Sequence, residues 1–438
     1  MVCQSRCLGG PAAGTVGTRT TGGIMDDAWT TVRKLANGVP LREALGGRDS
    51  AEHWVAVDLA VRWLTPDHLP MYEPPGGPSL RWDWNAPLPT FRRARARAAE
   101  PEPATAISLC HPDGRIREAA LDRASHYPDL LPLLVVRCAD WAAPVRERAR
   151  ALLAEAPAAG LVEQAELILL LGRRERGGFA VELLGRVLRE GPAERLHPLL
   201  ESADRATLRF AHRVAVERGL LPPLRLARIA VRSGDVVLQD LCAEAAVAAV
   251  RETGRDDGVL GILLTGRSGR VRAAGVTALR RAGRYQEARA YLTDRSAVVR
   301  ACARYVVRQG GTDPLPLYRE LCTGEVVAPG AAAGLGECGD QKEDAGTLWT
   351  LVRHPDPSVR AQAVAGLRAL DAVRREGLTP LLDDPSSAVV RAATRALLPH
   401  AGEFPVEWLR ERDTPESRRA VRVGAQRLLR AAGWSRTG

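Results

Sequence analysis

The sequence predicts an all-α protein: a right-handed α-solenoid of about eleven helical pairs behind an N-terminal helical, Trp/Pro-rich cap. The first support is a repeat. An Asp or Ser, a short turn, then Val-Arg or its equivalent and a run of small and aliphatic residues recurs at starts 113, 140, 204, 268, 294, 356, 384 and 413, with weaker copies near Gly172, Asp235 and Glu325, so that successive starts lie 26 to 33 residues apart. The second is that each interval splits into two stretches with apolar residues at helical spacing. The third is the placing of small residues: Ala120, Ala149, Ala303 and Ala363 let the two helices of a pair approach closely, in a chain whose 45% apolar residues exclude disorder throughout.

In chain order, residues 1–24 are Gly- and Thr-rich without an apolar core, which predicts a disordered leader rather than a secretory signal. Met25-Asp26-Asp27 reads as an alternative start of translation. Residues 25–104 form the expected cap, with amphipathic helices around Asp26–Ala36 and Ala51–Leu64. A Pro/aromatic segment follows, containing Trp82-Asp83-Trp84, and then the basic run Arg92 to Arg97. That aromatic–basic cluster suits either a hydrophobic cap on the first repeat or a surface that stacks bases.

Residues 105–438 are the array. The stretch before each Asp is short and apolar, as in Leu130 to Val136; the stretch after it places Val359, Ala363, Leu367 and Leu370 on one helical face. The Asp stands where an N-cap is wanted. Pro144, Pro357 and Pro385 fall where a missing N–H costs least. One pair cannot bury its apolar face alone, so neighbours must stack.

These residues resemble HEAT repeats, in particular the short bacterial HEAT-like type also found in phycobilin lyases. The match is best at Asp356-Pro-Ser-Val-Arg360, Asp113 to Arg117 and Asp294 to Arg300, and covers roughly residues 105–435. The resemblance implies that Arg117, Arg146, Arg272, Arg300, Arg360 and Arg391 pair with a turn Asp of their own or a neighbouring repeat, as a ladder. His111-Pro112-Asp113 and His354-Pro355-Asp356 occupy equivalent turns, so their recurrence marks structure.

A second set of arginines, Arg150, Arg213, Arg304 and Arg395, stands four residues beyond a Val-Arg or equivalent arginine, where other repeats have Leu121, Val276 or Val364. If second helices line the inner surface, these four make part of it basic. With Trp82 and Trp84 they are the candidate partner-binding residues. Arginines at the C-terminus, such as Arg418, Arg419, Arg422, Arg427 and Arg430, fall opposite Val421, Ala425 and Leu429, as the solvated face of a terminal repeat requires.

No catalytic, metal or cofactor site is expected. Eight scattered cysteines include no C-x-x-C pair, and no Walker loop, dinucleotide fingerprint or Gly-x-Ser-x-Gly elbow occurs. The residues also lack the His-Glu pairs of HEAT-like di-iron hydroxylases and the inner-face aromatics of HEAT-like glycosylases. A cytoplasmic location is the default for such thiols, and no run is apolar enough to span a membrane. The net charge of +10 rests on 60 arginines and only two lysines, Lys34 and Lys342, a bias that reads as coding preference more than selection for polyanions. The expected function is a non-enzymatic scaffold that binds a protein or peptide, an acidic one included, in a concave groove. The alternative is a nucleic-acid-binding solenoid with a basic inner face, whose affinity would fall steeply with salt.

Overall fold

The computed structural model describes residues 21–63, 101–248, 250 and 257–434. Trp82, Trp84 and the Arg92–Arg97 run lie outside these residues, as does most of the expected leader. The chain divides into two compact units, Met1–Leu220 and Leu221–Gly438.

The first unit opens with α1 (Thr21–Ala36), α2 (Leu41–Leu45) and α3 (Ala51–Trp63), followed by α4 (Glu102–Leu109), α5 (Gly114–Ala124), α6 (Leu131–Arg137) and α7 (Ala143–Ala154). It closes with α8 (Ala158–Glu163), α9 (Ala165–Leu171), α10 (Gly178–Glu190) and α11 (Arg205–Glu217). The second unit contains α12 (Pro223–Arg232), α13 (Val236–Ala248), α14 (Asp257–Leu264), α15 (Gly269–Arg281), α16 (Ala297–Gln309) and α17 (Pro314–Thr323). After these come α18 (Pro329–Cys338), α19 (Gln341–Leu351), α20 (Pro357–Ala369), α21 (Arg375–Leu378), α22 (Ser387–Leu397), α23 (Val406–Arg410) and α24 (Arg419–Ala431).

All regular structure among the described residues is helical, and the stacking is that of an α-solenoid. The second helices of the eleven pairs are α5, α7, α10, α11, α13, α15, α16, α18, α20, α22 and α24, each beginning within six residues of a start read from the repeat. Within the second unit each packs on the next, from α13 through to α24. The first members are less regular: in five pairs they are wholly or partly 3-10 turns, as at Tyr285–Tyr291. The helix termini follow from the turn chemistry. Asp113, Asp204 and Asp356 each accept a hydrogen bond from the N–H two or three residues on, satisfying donors that the helix start leaves unpaired.

The core is made of small and branched aliphatics. Ala120, Ala149, Ala303 and Ala363 are fully buried, beside Leu121, Val145, Val299 and Leu367. Alanine at these positions lets neighbouring helix axes come close. The approach is close where α18 meets α20, since a Cβ on Gly336 would run into the Gly366 backbone, and where α18 meets α17, since one on Gly334 would run into the Tyr318 ring.

Helices α1, α2 and α3 belong to the same compact unit as the first four pairs. α1 packs on α3 and α4, and α3 on α6 and α9. Asp58 of α3 binds the buried guanidinium of Arg137 at the end of α6, so a charge pair as well as apolar burial ties α3 to α6.

Candidate partner-binding face

Three steps of the array share one hydrogen-bonding unit. Arg117 sends Nη1 to the carbonyls of His111 and Pro112 and holds Asp140 of the following turn through Nε and Nη2 at 2.9 and 2.7 Å. Arg272 does the same with the carbonyls of Gly266 and Arg267 and with Asp294 at 2.8 and 2.7 Å. Arg360 repeats it with His354, Pro355 and Asp384, at 3.0 and 2.9 Å to the carboxylate. In each case the clamped Asp also accepts from the backbone N–H two residues on, at Ala142, Ser296 and Ser386. One carboxylate therefore fastens the arginine behind it and starts the turn in front. Burial alone would push the Asp294 carboxyl up, but the hydrogen bonds from Arg272 and the Ser296 N–H outweigh it and hold it below the usual carboxylate range. Asp140 is shifted the same way, with Arg117 and Arg137 as the opposing partners.

The other steps depart from this pattern for visible reasons. Arg146 keeps the carbonyl contacts, to Asp140 and Trp141, but the next turn offers no Asp. Arg300 keeps the contact to the Asp294 carbonyl and turns its fork to Glu337 on α18. Arg391 leaves the ladder altogether. The N-cap of α22 is Ser386, so the place four residues on, held by Arg117, Arg272, Arg300 and Arg360 elsewhere, belongs to buried Val390. Arg391 is one residue further round the helix, exposed, and its hydrogen bond goes to Ser387 Oγ.

The same count sorts the four candidate arginines. Arg150 and Arg304 stand eight residues after their N-caps and are half-buried. Arg150 donates to the Cys138 and Arg176 carbonyls and lies over the Phe179 ring; Arg304 pairs with Glu337 at 2.6 Å. Arg213 and Arg395 stand nine residues after Asp204 and Ser386 and are exposed. One member of each kind lies in each unit. Trp82 and Trp84 lie outside the described residues.

Counting from the N-caps also shows a feature that spacing from the Val-Arg pair conceals. The second helices α15, α16, α20, α22 and α24 carry fifteen arginines and no Asp or Glu, and α18 between them carries only Glu337. Arg280, Arg308, Arg368 and Arg430 recur twelve residues after the N-cap, and Arg391, Arg395 and Arg427 stand five or nine after it, all exposed. No carboxylate among the described residues lies within ion-pairing distance of any of these seven. The helix dipole favours arginine in a last turn, which accounts for the twelfth position. It equally favours acids in the first turn, and these five helices have none there.

Apolar side chains interrupt this basic row on α16, where Val298 is 55% and Tyr305 49% exposed. Beside Val298 an open notch of about 500 Å³ is lined by Ala297 and Ala301 of α16, Gly336 of α18 and Ala369 of α20, with the Arg304–Glu337 pair at its edge.

Among the described residues no group of three or more His, Cys, Asp or Glu could hold a metal ion, and no helix is long and apolar enough to cross a membrane. Burial pushes the Cys138 and Cys322 thiols up to about 12, away from the thiolate that a nucleophile needs. His111 and His354 each accept the N–H of the Asp two residues on, at 2.8 and 3.0 Å, so the recurring His-Pro-Asp is a turn device.

No family model matches the chain, and no curated protein matches it. Among solved structures, Kap121p is 13% identical over 94% of this chain and 54% of its own, with a TM-score of 0.30. Importin beta is 12% identical over 95% of this chain and 67% of its own, TM-score 0.27. An engineered protein from the Northeast Structural Genomics Consortium is 18% identical over 75% and 98%, TM-score 0.20. Likeness at this level transfers no residue role; the solenoid class rests on the stacked helical pairs themselves.

Proposed function

We propose that the chain is a HEAT-like, non-enzymatic interaction scaffold that binds an acidic protein partner on the second-helix row of its Leu221–Gly438 unit. The observation that carries this reading is a run of six successive second helices, five with arginines and no acid and the sixth, α18, with Glu337 alone, on which seven arginines are exposed and without a carboxylate among the described residues. A purely solvated face gains nothing from one sign of charge, because mixed signs solvate as well and repel less. A one-sign row steers an oppositely charged partner and selects against others.

The test is the binding of a fluorescent ten-residue glutamate peptide at low ionic strength. R368E/R391E/R395E changes three exposed residues and should keep the helical CD signal while weakening the peptide at least tenfold. R173E/R174E reverses exposed charges in the other unit and should leave binding unchanged. Equal loss in both variants, or no binding by the wild-type chain, overturns the reading. Duplex DNA bound in preference to the peptide, with affinity falling steeply as salt is raised, would replace it with the nucleic-acid reading.

A further inference from the structure

The notch on the row has a definite origin. α18 is PGAAAGLGEC, and Gly330 through Gly336 are all buried. Because Gly336 and Gly366 let α18 and α20 touch backbone to backbone, α18 sits deep and raises no side chain large enough to fill the space above it. The flanking walls come from Val298 and Ala301 on one side and Ala369 on the other, and Ala297, Val298, Ala301 and Ala369 are all exposed. Glu337, the one acid on these six helices, is neutralised by Arg300 and Arg304 together. The edge of the notch therefore presents no net negative charge to an incoming acidic chain.

Unpaired cations stand on both sides. Arg308 is one turn beyond Arg304 on α16, and Arg368 immediately precedes Ala369 on α20. We infer that this notch takes one apolar side chain of an extended acidic segment of the partner, with Arg308 and Arg368 holding carboxylates on either side of it. The inference rests on the row being the partner face, and adds what the partner must carry: a Leu- or Phe-sized residue between acids. A nucleic acid is the poorer occupant, since the notch offers an alanine-lined hollow and a single neighbouring aromatic, Tyr305, where base stacking needs several flat faces.

Two labelled peptides separate the two levels: ten glutamates, and the same peptide with one central phenylalanine. The wild-type chain should bind the phenylalanine peptide about tenfold more tightly, the worth of partly burying one such side chain. Ala301→Arg fills the notch from an exposed position while adding positive charge. It should leave the all-glutamate peptide bound as well or better and remove the advantage of phenylalanine. Ala369→Arg, from the opposite wall, should do the same. These opposite signs cannot come from a folding defect, which would weaken both peptides. Equal binding of the two peptides by the wild-type chain, or a phenylalanine advantage that survives both substitutions, overturns the notch and leaves the basic row standing. Failure of both peptides to bind overturns the row itself.

Discussion

The Arg117–Asp140 and Arg360–Asp384 rungs make the same five hydrogen bonds and differ in what surrounds them. In the first unit both side chains are 0% exposed, the Trp141 ring lies 5.4 Å from the guanidinium, and Arg137 and the cap residue Asp58 join the pair. In the second, Arg360 is 16% and Asp384 7% exposed, and no further charge among the described residues joins them. Identical geometry thus sits in two environments, one dry and one reached by water. Since the cost of breaking an ion pair is set largely by what the abandoned charge can find instead, the environment should decide the energetics.

The largest effect expected follows from Asp140→Ala, which strands the buried guanidinium of Arg117 and leaves Arg137 with Asp58 as its one carboxylate. Its cost should be about 3–5 kcal/mol, read as a fall in the urea midpoint with hydrogen exchange accelerated in α5 to α7. Asp384→Ala should cost about 1–2 kcal/mol, because water reaches Arg360. Equal losses would show that burial does not separate the two rungs.

An intermediate effect sharpens the comparison through pH. Burial lowers the His111 pKa from 6.5 to about 4, against the opposing pull of Asp113. The folded value lies below the unfolded one, so the unfolded chain takes up more protons between those limits. Stability should be full above about pH 6.5 and fall by about 1–2 kcal/mol as the pH drops towards 4. His111→Asn, which can still accept the Asp113 N–H, should flatten that part of the slope. A wild-type profile flat from pH 7 to 4.5 would contradict it.

The smallest effect tests the helix register. Arg360→Ala should lower the urea midpoint measurably, whereas Arg391→Ala should not move it, although both arginines follow a valine in equivalent repeats. A matching loss at Arg391 would mean that α22 does not start where Ser386 places it.

That register marks the boundary of what could be read without coordinates. The eleven pairs were legible because most turns announce themselves with Asp or Ser, the weaker copies near Gly172 and Glu325 keep the period, and the second helices repeat small residues on one face. Arg117, Arg272 and Arg360 were legible as ladder arginines for the same reason. Arg213 and Arg395 were grouped with Arg150 and Arg304 by counting four residues from the preceding arginine, yet Arg209 and Arg391 are themselves one place further from the N-cap than Arg146 and Arg300. A slip of one residue is a rotation of 100°, which turns a buried, bonded side chain into an exposed one. Counting from the capping residue recovers the distinction. Glu337 was missed because it stands 37 residues beyond Arg300, past the turn where an Asp was expected. The acid-free second helices were visible in principle, as a comparison of charge between the two halves of each repeat.

The rung also has a consequence for how such a chain can grow or shrink. Arg272 and Arg360 reach only back to their own turn and forward to the next, 22 and 24 residues on. A length of gene cut at one capping residue and rejoined at the next would therefore carry a complete set of partners with it, so duplication or loss of a pair there leaves no stranded charge. The step from α16 to α18 does not have this property. Arg300 and Arg304 converge on a glutamate beyond the following turn, and an insertion between them would part both cations from it. Among the steps of the second unit, this one is bound to keep its length.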